Sequence, residues 1–169
     1  LIDPLEAQYT GAGDGTVAVL VLGFESAGFD VTPLFEQACA LCRSLGGEVE
    51  EREDRESGAE GAWRSAFLRA PYLRDTFVAM GVLSETFETA ITWERFGAFH
   101  EEVTGAVREA AGPGALVSCR FTHVYPDGPA PYYTVLANAR RGEEVEQWAE
   151  IKAAAQDAIV AAGGTITHH

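Results

Sequence analysis

Two short stretches joined by a turn carry the side chains best suited to proton transfer and anion binding. The segment SCRFTHVYPDGPAPYYTVLAN places Arg120, His123 and Tyr125 before an Asp-Gly pair, and Tyr132 and Tyr133 after it. A guanidinium can clamp a carboxylate or a phosphate, and imidazole and phenol groups can accept or donate protons. Such groups on neighbouring strands predict a sheet with one face turned toward a site.

The elements that hold these groups are predicted to be two antiparallel strands spanning Ser118–Asn138. The Asp-Gly pair at 127–128, with a proline on either side, is typical of a turn because glycine adopts positive φ freely. Both arms are rich in Val, Phe, Tyr and Thr, which favour a pleated surface. Consecutive residues of a strand point to opposite faces, so we expect only one of Tyr132 and Tyr133 to face the site.

A second candidate for anion binding is Arg74, in the segment PYLRD. The simplest interpretation of Arg74 is a surface arginine paired with Asp75 or Asp54, and the alternative is an anion clamp. Arg120 is open to the same two interpretations, because it could serve only as a cross-strand partner.

Other signals predict no metal or phosphate site. Cys39 and Cys42 form a C-x-x-C pattern inside a predicted helix, without the second ligand pair that zinc needs, which favours packing. The glycine-rich loop Gly11–Gly15 precedes a predicted strand, whereas phosphate-binding loops follow a strand and open a helix. His168 and His169 are adjacent on a predicted strand, so at most one can face a given ligand.

The order of elements predicts an α+β fold, an antiparallel sheet with helices on one face. From residue 86 onward the pattern is strand, helix, strand, strand, helix, strand, which is the ferredoxin-like, split βαβ order. The predicted elements there are a strand at 86–91, a helix from 92 to 112, the hairpin, a helix from 140 to 163 and a strand at 165–168. We expect residues 1–169 to form a single domain.

The first half predicts a second, partial unit of the same kind. The continuous apolar run Thr16–Phe24 predicts a strand covered on both faces. A helix from Thr32 to Gly46 follows, and Gly47–Glu51 is predicted to be a short strand. A further helix, 62–80, should be kinked or interrupted by Pro71.

Composition narrows the class of protein. The 169 residues include 26 acidic and 12 basic side chains, a net charge of -14, which argues against nucleic acid and anionic membrane as partners. The 47% apolar content is enough for a core, and no apolar run reaches the length of a membrane helix. Three cysteines without a secretory segment favour a reducing compartment, which we take to be the cytoplasm.

Four segments together resemble one family. They are PYLRD at 71–75, ETFET with WER between 85 and 95, SCR at 118–120, and GGTITHH at 163–169. Their order and spacing are similar to those of the C-terminal substrate (cap) domain of FAD-linked oxidases of the vanillyl-alcohol oxidase type, and within that group to the alkyldihydroxyacetonephosphate synthases. The resemblance covers nearly the whole chain.

The resemblance implies an enzyme that exchanges the acyl chain of acyl-dihydroxyacetone phosphate for a fatty alcohol, with no net redox change. It implies that Tyr132 is the acid/base tyrosine, that Arg74 binds substrate, and that His168 and His169 belong to a histidine run beside the flavin. These roles suit the residue types, since proton removal beside a carbonyl needs a positioned base and a guanidinium stabilises anions. We expect Arg120 to assist in substrate binding.

Several expectations follow for the whole protein. A flavin domain should precede Leu1 and bind most of the FAD, so the chain alone should be inactive. Any membrane contact should come from other parts of the protein, and a homodimer is compatible with the sequence. Two alternatives stay open: a cap domain of a FAD-dependent 2-hydroxy-acid (glycolate or D-lactate) dehydrogenase, and a ferredoxin-like module that binds a small ligand without catalysis.

Overall fold

The computed structural model of the chain describes residues 1–50 and 58–168. The helices are α1 Pro4–Thr10, α2 Thr32–Ser44, α3 Gly58–Ala79, α4 Trp93–Ala111 and α5 Glu144–Ala161. The strands are β1 Val82–Ala90, β2 Leu116–Val124, β3 Pro129–Asn138 and β4 Thr165–His168.

The four strands form one antiparallel sheet in the order β2-β3-β1-β4. The chain order β1-α4-β2-β3-α5-β4 with this strand order is the ferredoxin-like arrangement, which confirms the α+β prediction for residues 82–168. Helices α4 and α5 pack on each other and cover one face of the sheet, here called the core face. Its largest buried side chains include Phe87, Tyr133, Phe99 and Ile151.

Alternation along β3 explains why the sheet has two unlike faces. Tyr133, Val135 and Ala137 are buried on the core face. Tyr132 and Thr134, which alternate with them along the strand, are half-buried on the other face. This second face is here called the α1 face, because α1 rests on it at the β2 end. One strand therefore supplies both core and polar surface.

The turn between β2 and β3 lies where the Asp-Gly pair predicts it. The backbone N–H of Trp93 donates to the Asp127 carbonyl at 3.1 Å, and the Trp93 indole donates to the Tyr125 carbonyl at 3.0 Å. A side chain at Gly128 would overlap the carbonyl of Ile91, so only glycine fits this close approach. These contacts hold the hairpin end against the start of α4.

Residues 1–3 cover the outer edge of β2 and lead into α1. The Asp3 N–H donates to the Cys119 carbonyl at 3.0 Å, and the Phe121 N–H donates to the Leu1 carbonyl at 2.7 Å. One Asp3 carboxylate oxygen accepts from the Cys119 N–H at 2.6 Å, and the other caps α1 by accepting from the Glu6 N–H at 2.7 Å. Asp3 thus fixes α1 to β2.

Two irregularities in strand pairing lie next to one level of the sheet, both on the side of the β2–β3 turn. The β2–β3 register shifts between Phe121 and His123, and the β1–β4 register shifts between Glu88 and Thr89. At that level, the pairing of Arg120 with Tyr132 and of Tyr132 with Glu88 is regular.

The predicted partial unit in the first half is wrong. Within Thr16–Phe24 only Val19 pairs, in an isolated bridge with Ile2, and the Val17 side chain is 62% exposed. Residues 47–50 form no strand, and Glu51 lies outside the described residues. An apolar run supports a buried strand only if neighbouring strands cover it, and none does so in the part of the chain described.

The predicted break in the third helix is also wrong, because α3 runs through Pro71. The helix from Thr32 is confirmed, with Val31 as its N-cap and Pro33 in its first turn. In residues 1–50 and 58–168, no helix combines the length and apolar character needed to cross a membrane.

Candidate functional site

Four residues from four strands occupy one level of the sheet. Arg120 of β2 is directly opposite Tyr132 of β3, Tyr132 is opposite Glu88 of β1, and Glu88 is opposite His168 of β4. We call these residues the transverse row. Opposed residues on antiparallel strands share a face, so the side chains of Arg120, Tyr132 and Glu88 lie together on the α1 face.

Arg120 connects Tyr132 to helix α1. Its guanidinium carbon lies 4.0 Å from the centroid of the Tyr132 ring, a cation–π contact. On its other side, Arg120 Nη1 donates to Glu6 Oε1 at 2.8 Å. Only 15% of the Arg120 side chain is exposed, so this charge is largely removed from water and depends on Glu6 for compensation.

Glu6 is unusual because a carboxylate is buried beside a site-facing residue. It is 1% exposed, and this burial raises its pKa, a shift that Arg120 and, more weakly, nearby Trp63 oppose. Glu6 Oε2 and Arg120 Nε are buried without a hydrogen-bond partner among the described residues. Each member of the pair therefore keeps one buried polar atom without a hydrogen bond to the described residues.

Glu88 supplies a carboxylate at the centre of the row. The Thr122 hydroxyl donates to Glu88 Oε1 at 3.0 Å, and His123 Nδ1 lies 3.6 Å from the same oxygen. His123 is mostly exposed, and its contact with Glu88 reaches across β3, because β2 and β1 are not adjacent strands. His168 occupies the register position beside Glu88, and His169 lies outside the described residues.

Hydroxyl groups form the next level of the α1 face. Ser118 is opposite Thr134, which is opposite Thr86. The Tyr9 hydroxyl of α1 lies 2.9 Å from Ser118 Oγ. Burial, followed by the charge of Glu6, raises the pKa of Tyr9 to about 12, so this phenol stays protonated at neutral pH.

The two consecutive tyrosines have unlike surroundings. Tyr133 points into the core, stacks on Phe87 with ring centroids 4.9 Å apart, and has its hydroxyl 3.2 Å from His100 Nδ1. Burial strongly raises the pKa of Tyr133, and burial also lowers the pKa of His100. Tyr132 lies on the α1 face, so of the two it is the phenol available to a ligand there.

The structure does not bring Arg74 to the transverse row. It is an exposed residue of α3 and lines a cavity of about 360 Å³ with Val78, Ser84 and Trp148 among its neighbours. Ser84 is four residues before Glu88 on β1, a separation of roughly 13 Å at about 3.3 Å per residue. Asp54, one of the two predicted partners of Arg74, lies outside the described residues.

Sequence reasoning missed two carboxylates of this region, Glu6 and Glu88. Glu88 follows Phe87, and alternation about that buried aromatic would have placed it on the opposite face from the core. Glu6 lies in a short helix that the sequence analysis left unassigned, although Asp3-Pro4 is an N-cap followed by a first-turn proline.

The cysteines and histidines form no metal site that the described residues reveal. Cys39 is buried and Cys42 half-buried on α2, and both are free thiols. No group of three or more potential ligands comes together within residues 1–50 and 58–168. The side chains on the α1 face are suited to proton transfer and charge stabilisation.

A comparison with known families and proteins identifies the chain's relatives. The family described as FAD linked oxidases, C-terminal domain, matches residues 5–169. Alkyldihydroxyacetonephosphate synthase of Caenorhabditis elegans is 38% identical over 120 residues, which cover 68% of this chain and 20% of that protein. The chain thus spans about a fifth of the length of this curated relative.

Two solved structures share the fold. Both are described as alkyldihydroxyacetonephosphate synthase, in the P212121 and P1 crystal forms, with TM-scores of 0.54 and 0.57 and identities of 20% and 17%. The matches cover 64% and 80% of this chain, and 20% and 24% of those chains. Since the family match takes in nearly the whole sequence, the chain belongs to the family of C-terminal domains of FAD-linked oxidases.

Proposed function

We propose that this chain is the substrate domain of a FAD-dependent enzyme of the alkyldihydroxyacetonephosphate synthase type. The enzyme would exchange the acyl chain of acyl-dihydroxyacetone phosphate for a fatty alcohol. The observation that carries the proposal is the transverse row, which sets the Tyr132 phenol beside a guanidinium and a carboxylate on the sheet face away from the core. The 38% identity to a synthase supports this choice of substrate.

The residues present fit one part of FAD and not the whole. Tyr132 and the half-satisfied guanidinium of Arg120 are polar groups suited to the edge of a flavin ring, with His168 and His169 proposed as further neighbours. The loop Gly11–Gly15 follows α1, with Gly11 as its left-handed C-cap, and so does not open a helix as a phosphate-binding turn does. We therefore propose that a separate flavin domain holds the cofactor's phosphates.

Within this enzyme, bound FAD would supply the electron sink. Tyr132 would take up and return the proton on the carbon beside the substrate's ketone, since its hydroxyl is on the accessible face. Arg120 would hold the Tyr132 ring and contribute positive charge near developing negative charge. Arg74 stays a predicted substrate-binding residue, but its cavity beside α3 is roughly 13 Å from this level of the sheet, farther than the phosphate lies from the reacting carbon of one dihydroxyacetone phosphate unit.

The test compares two neighbouring tyrosines in the full-length flavoenzyme. Tyr132→Phe should lower the rate of labelled fatty-alcohol incorporation about 100-fold or more, the usual range for a lost acid/base group, with FAD content unchanged. Tyr133→Phe is the matched control, because it removes the same atom from the core face, and should keep a rate within about threefold of wild type.

Three results would contradict the proposal. Near-normal exchange by Tyr132→Phe would remove this residue from the acid/base role. Flavin bleaching by glycolate or D-lactate without any alkyl exchange would instead assign the protein to the hydroxy-acid dehydrogenases of the same superfamily. A full-length protein that binds no flavin would favour a ligand-binding module.

Further properties of the whole protein stay predictions. We propose that residues 1–169 act as one domain, that the enzyme is cytoplasmic, and that a homodimer is its assembly. Size-exclusion chromatography with light scattering tests the assembly, and fractionation of cells tests the location.

A further inference from the structure

Glu6 is the feature that the proposed chemistry leaves unexplained. It is a carboxylate buried to 1% exposure, and only one of its two oxygens is hydrogen-bonded by the described residues. Removing an ion pair from water costs several kcal/mol, and the cost is recovered only when the geometry and remaining hydrogen bonds are good. This pair is a poor means of stabilising the fold, so its position needs another reason.

Contacts run without a gap from the backbone of β2 to the Tyr132 ring. Asp3 anchors α1 on Cys119 and caps the Glu6 N–H. Glu6 Oε1 accepts from Arg120 Nη1 at 2.8 Å, and the guanidinium carbon lies 4.0 Å from the Tyr132 centroid. Each step is a direct contact between described atoms.

A free arginine would not hold a neighbouring ring in one place. Its long side chain has many rotamers, so an unanchored guanidinium samples many positions. The Glu6 carboxylate removes that freedom at the end of the side chain that lies over the ring. Arg120 and Tyr132 are also directly opposite each other on adjacent strands, which brings their side chains within reach.

We propose that Glu6 is a positioning residue, which fixes Arg120 over the ring of Tyr132 and thereby holds the Tyr132 phenol in the orientation that proton transfer requires. The inference rests on the proposed function of Tyr132 and adds to it the residue that acts through Arg120. Glu6 would act through the guanidinium that it contacts, so it is a positioning residue and not a catalytic one.

The first test is the steady-state kinetics of Glu6 variants of the full-length flavoenzyme. Glu6→Ala should lower kcat about tenfold or more, because the phenol then samples unproductive orientations, while KM stays within about twofold. Glu6→Gln keeps an oxygen that can accept from Arg120 Nη1, so it should rescue part of that loss. The matched control is Glu109→Gln, an exposed glutamate of α4, which should leave both constants unchanged.

A double-mutant cycle separates positioning from general destabilisation. If Glu6 acts through Arg120 on the Tyr132 hydroxyl, Glu6→Gln should have no further effect on kcat in a Tyr132→Phe background. A fully additive loss would overturn the inference, as would a loss that appears in KM alone. If Glu6→Ala does not fold with FAD bound, Glu6→Gln and Arg120→Lys carry the test, since Arg120→Lys keeps the charge but loses the planar fork.

The two proposals fail in different ways. If Tyr132→Phe turns over like the wild type, the acid/base role of Tyr132 is wrong and the positioning role falls with it. If Tyr132→Phe is inactive but Glu6→Ala and Glu6→Gln keep the wild-type kcat, only the positioning role is wrong.

Discussion

Two buried ion pairs on opposite sides of the same sheet have unlike surroundings. Lys152 of α5 lies 3.2 Å from Glu85 Oε1 of β1, with side chains 8% and 14% exposed. Lys152 also donates to the Thr86 carbonyl at 3.1 Å, and Glu85 accepts from the Thr86 N–H at 2.8 Å and from the Trp148 indole. This pair connects a helix to the sheet and is well supplied with hydrogen bonds.

The pair of Glu6 with Arg120 on the α1 face is less complete. Burial alone would raise the pKa of either glutamate, but in Glu85 the Thr86 N–H, the Trp148 indole and Lys152 outweigh it and lower the pKa. In Glu6 burial dominates and the pKa is raised. This difference is consistent with our proposal that Glu6 positions Arg120 over Tyr132, whereas the Glu85 pair joins α5 to the sheet.

The largest effect on the free energy of unfolding should come from removing the cation of either ion pair, Arg120 or Lys152. Arg120→Ala leaves Glu6 buried without a partner and should lower the free energy of unfolding by about 4 kcal/mol, and kcat should fall as well. Lys152→Ala should cost about 3 kcal/mol of unfolding free energy, with kcat per folded molecule unchanged. Urea unfolding and turnover of the full-length protein measure the two quantities.

One result would contradict the difference in role between the two ion pairs. If Lys152→Ala lowers kcat as much as Arg120→Ala does, with FAD still bound, the two ion pairs do not differ in role. Arg108→Ala serves as the control for losing a cation, because Arg108 is an exposed residue of α4 that donates to the Val117 carbonyl at 3.4 Å.

A smaller effect is expected in the pH dependence of stability, and its sign should differ between Glu85 and Glu6. The pKa of Glu85 is lowered from 4.5, so its contribution is present above pH 4.5 and is lost as pH falls through the folded-state value. The pKa of Glu6 is raised from 4.5, so its contribution is present below pH 4.5 and is lost as pH rises through the folded-state value. Glu85→Gln should reduce the loss of stability as the pH falls below 4.5. Glu6→Gln should reduce the loss of stability as the pH rises above 4.5.

Thermal unfolding midpoints measured from pH 3 to pH 8 test both signs in one series. Identical pH profiles for wild type and the two variants would mean that neither carboxyl group has a shifted pKa in the folded protein.

The smallest effect concerns the core tyrosine. Tyr133→Phe removes the hydroxyl that lies 3.2 Å from His100 Nδ1 and should cost about 1 kcal/mol of unfolding free energy, the usual value for such a hydrogen bond. Urea unfolding measures the loss. A change larger than about 3 kcal/mol would indicate that this hydroxyl has a larger structural role than one hydrogen bond.

The sequence was most informative about elements that are determined by residues close together in the chain. The Asp-Gly turn, the alternation of Tyr132 and Tyr133, and the glycines that end α5 predict the hairpin, the helix and β4. Each depends on backbone chemistry within a few residues. The ferredoxin-like order then followed from the sequence of element types alone.

The sequence was less informative where the outcome depends on distant residues. The run Thr16–Phe24 has the composition of a buried strand, but whether it pairs depends on what lies beside it in space. Arg120 was predicted to bind substrate, and its contact with Glu6, 114 positions away, could not be inferred from either residue alone. The roles of Arg74, Arg120, Tyr132, His168 and His169 stay predictions until the variants are measured.

The shift of strand register between β2 and β3 beside the transverse row also limits how this protein can change. A slip of β3 by one residue would exchange Tyr132 and Tyr133, sealing one phenol in the core and turning the other outward. The irregular β2–β3 pairing at Phe121/His123 makes such sliding costly, because it favours one alignment of β3 against β2. Insertions or deletions inside β3 should therefore abolish activity even where the fold survives.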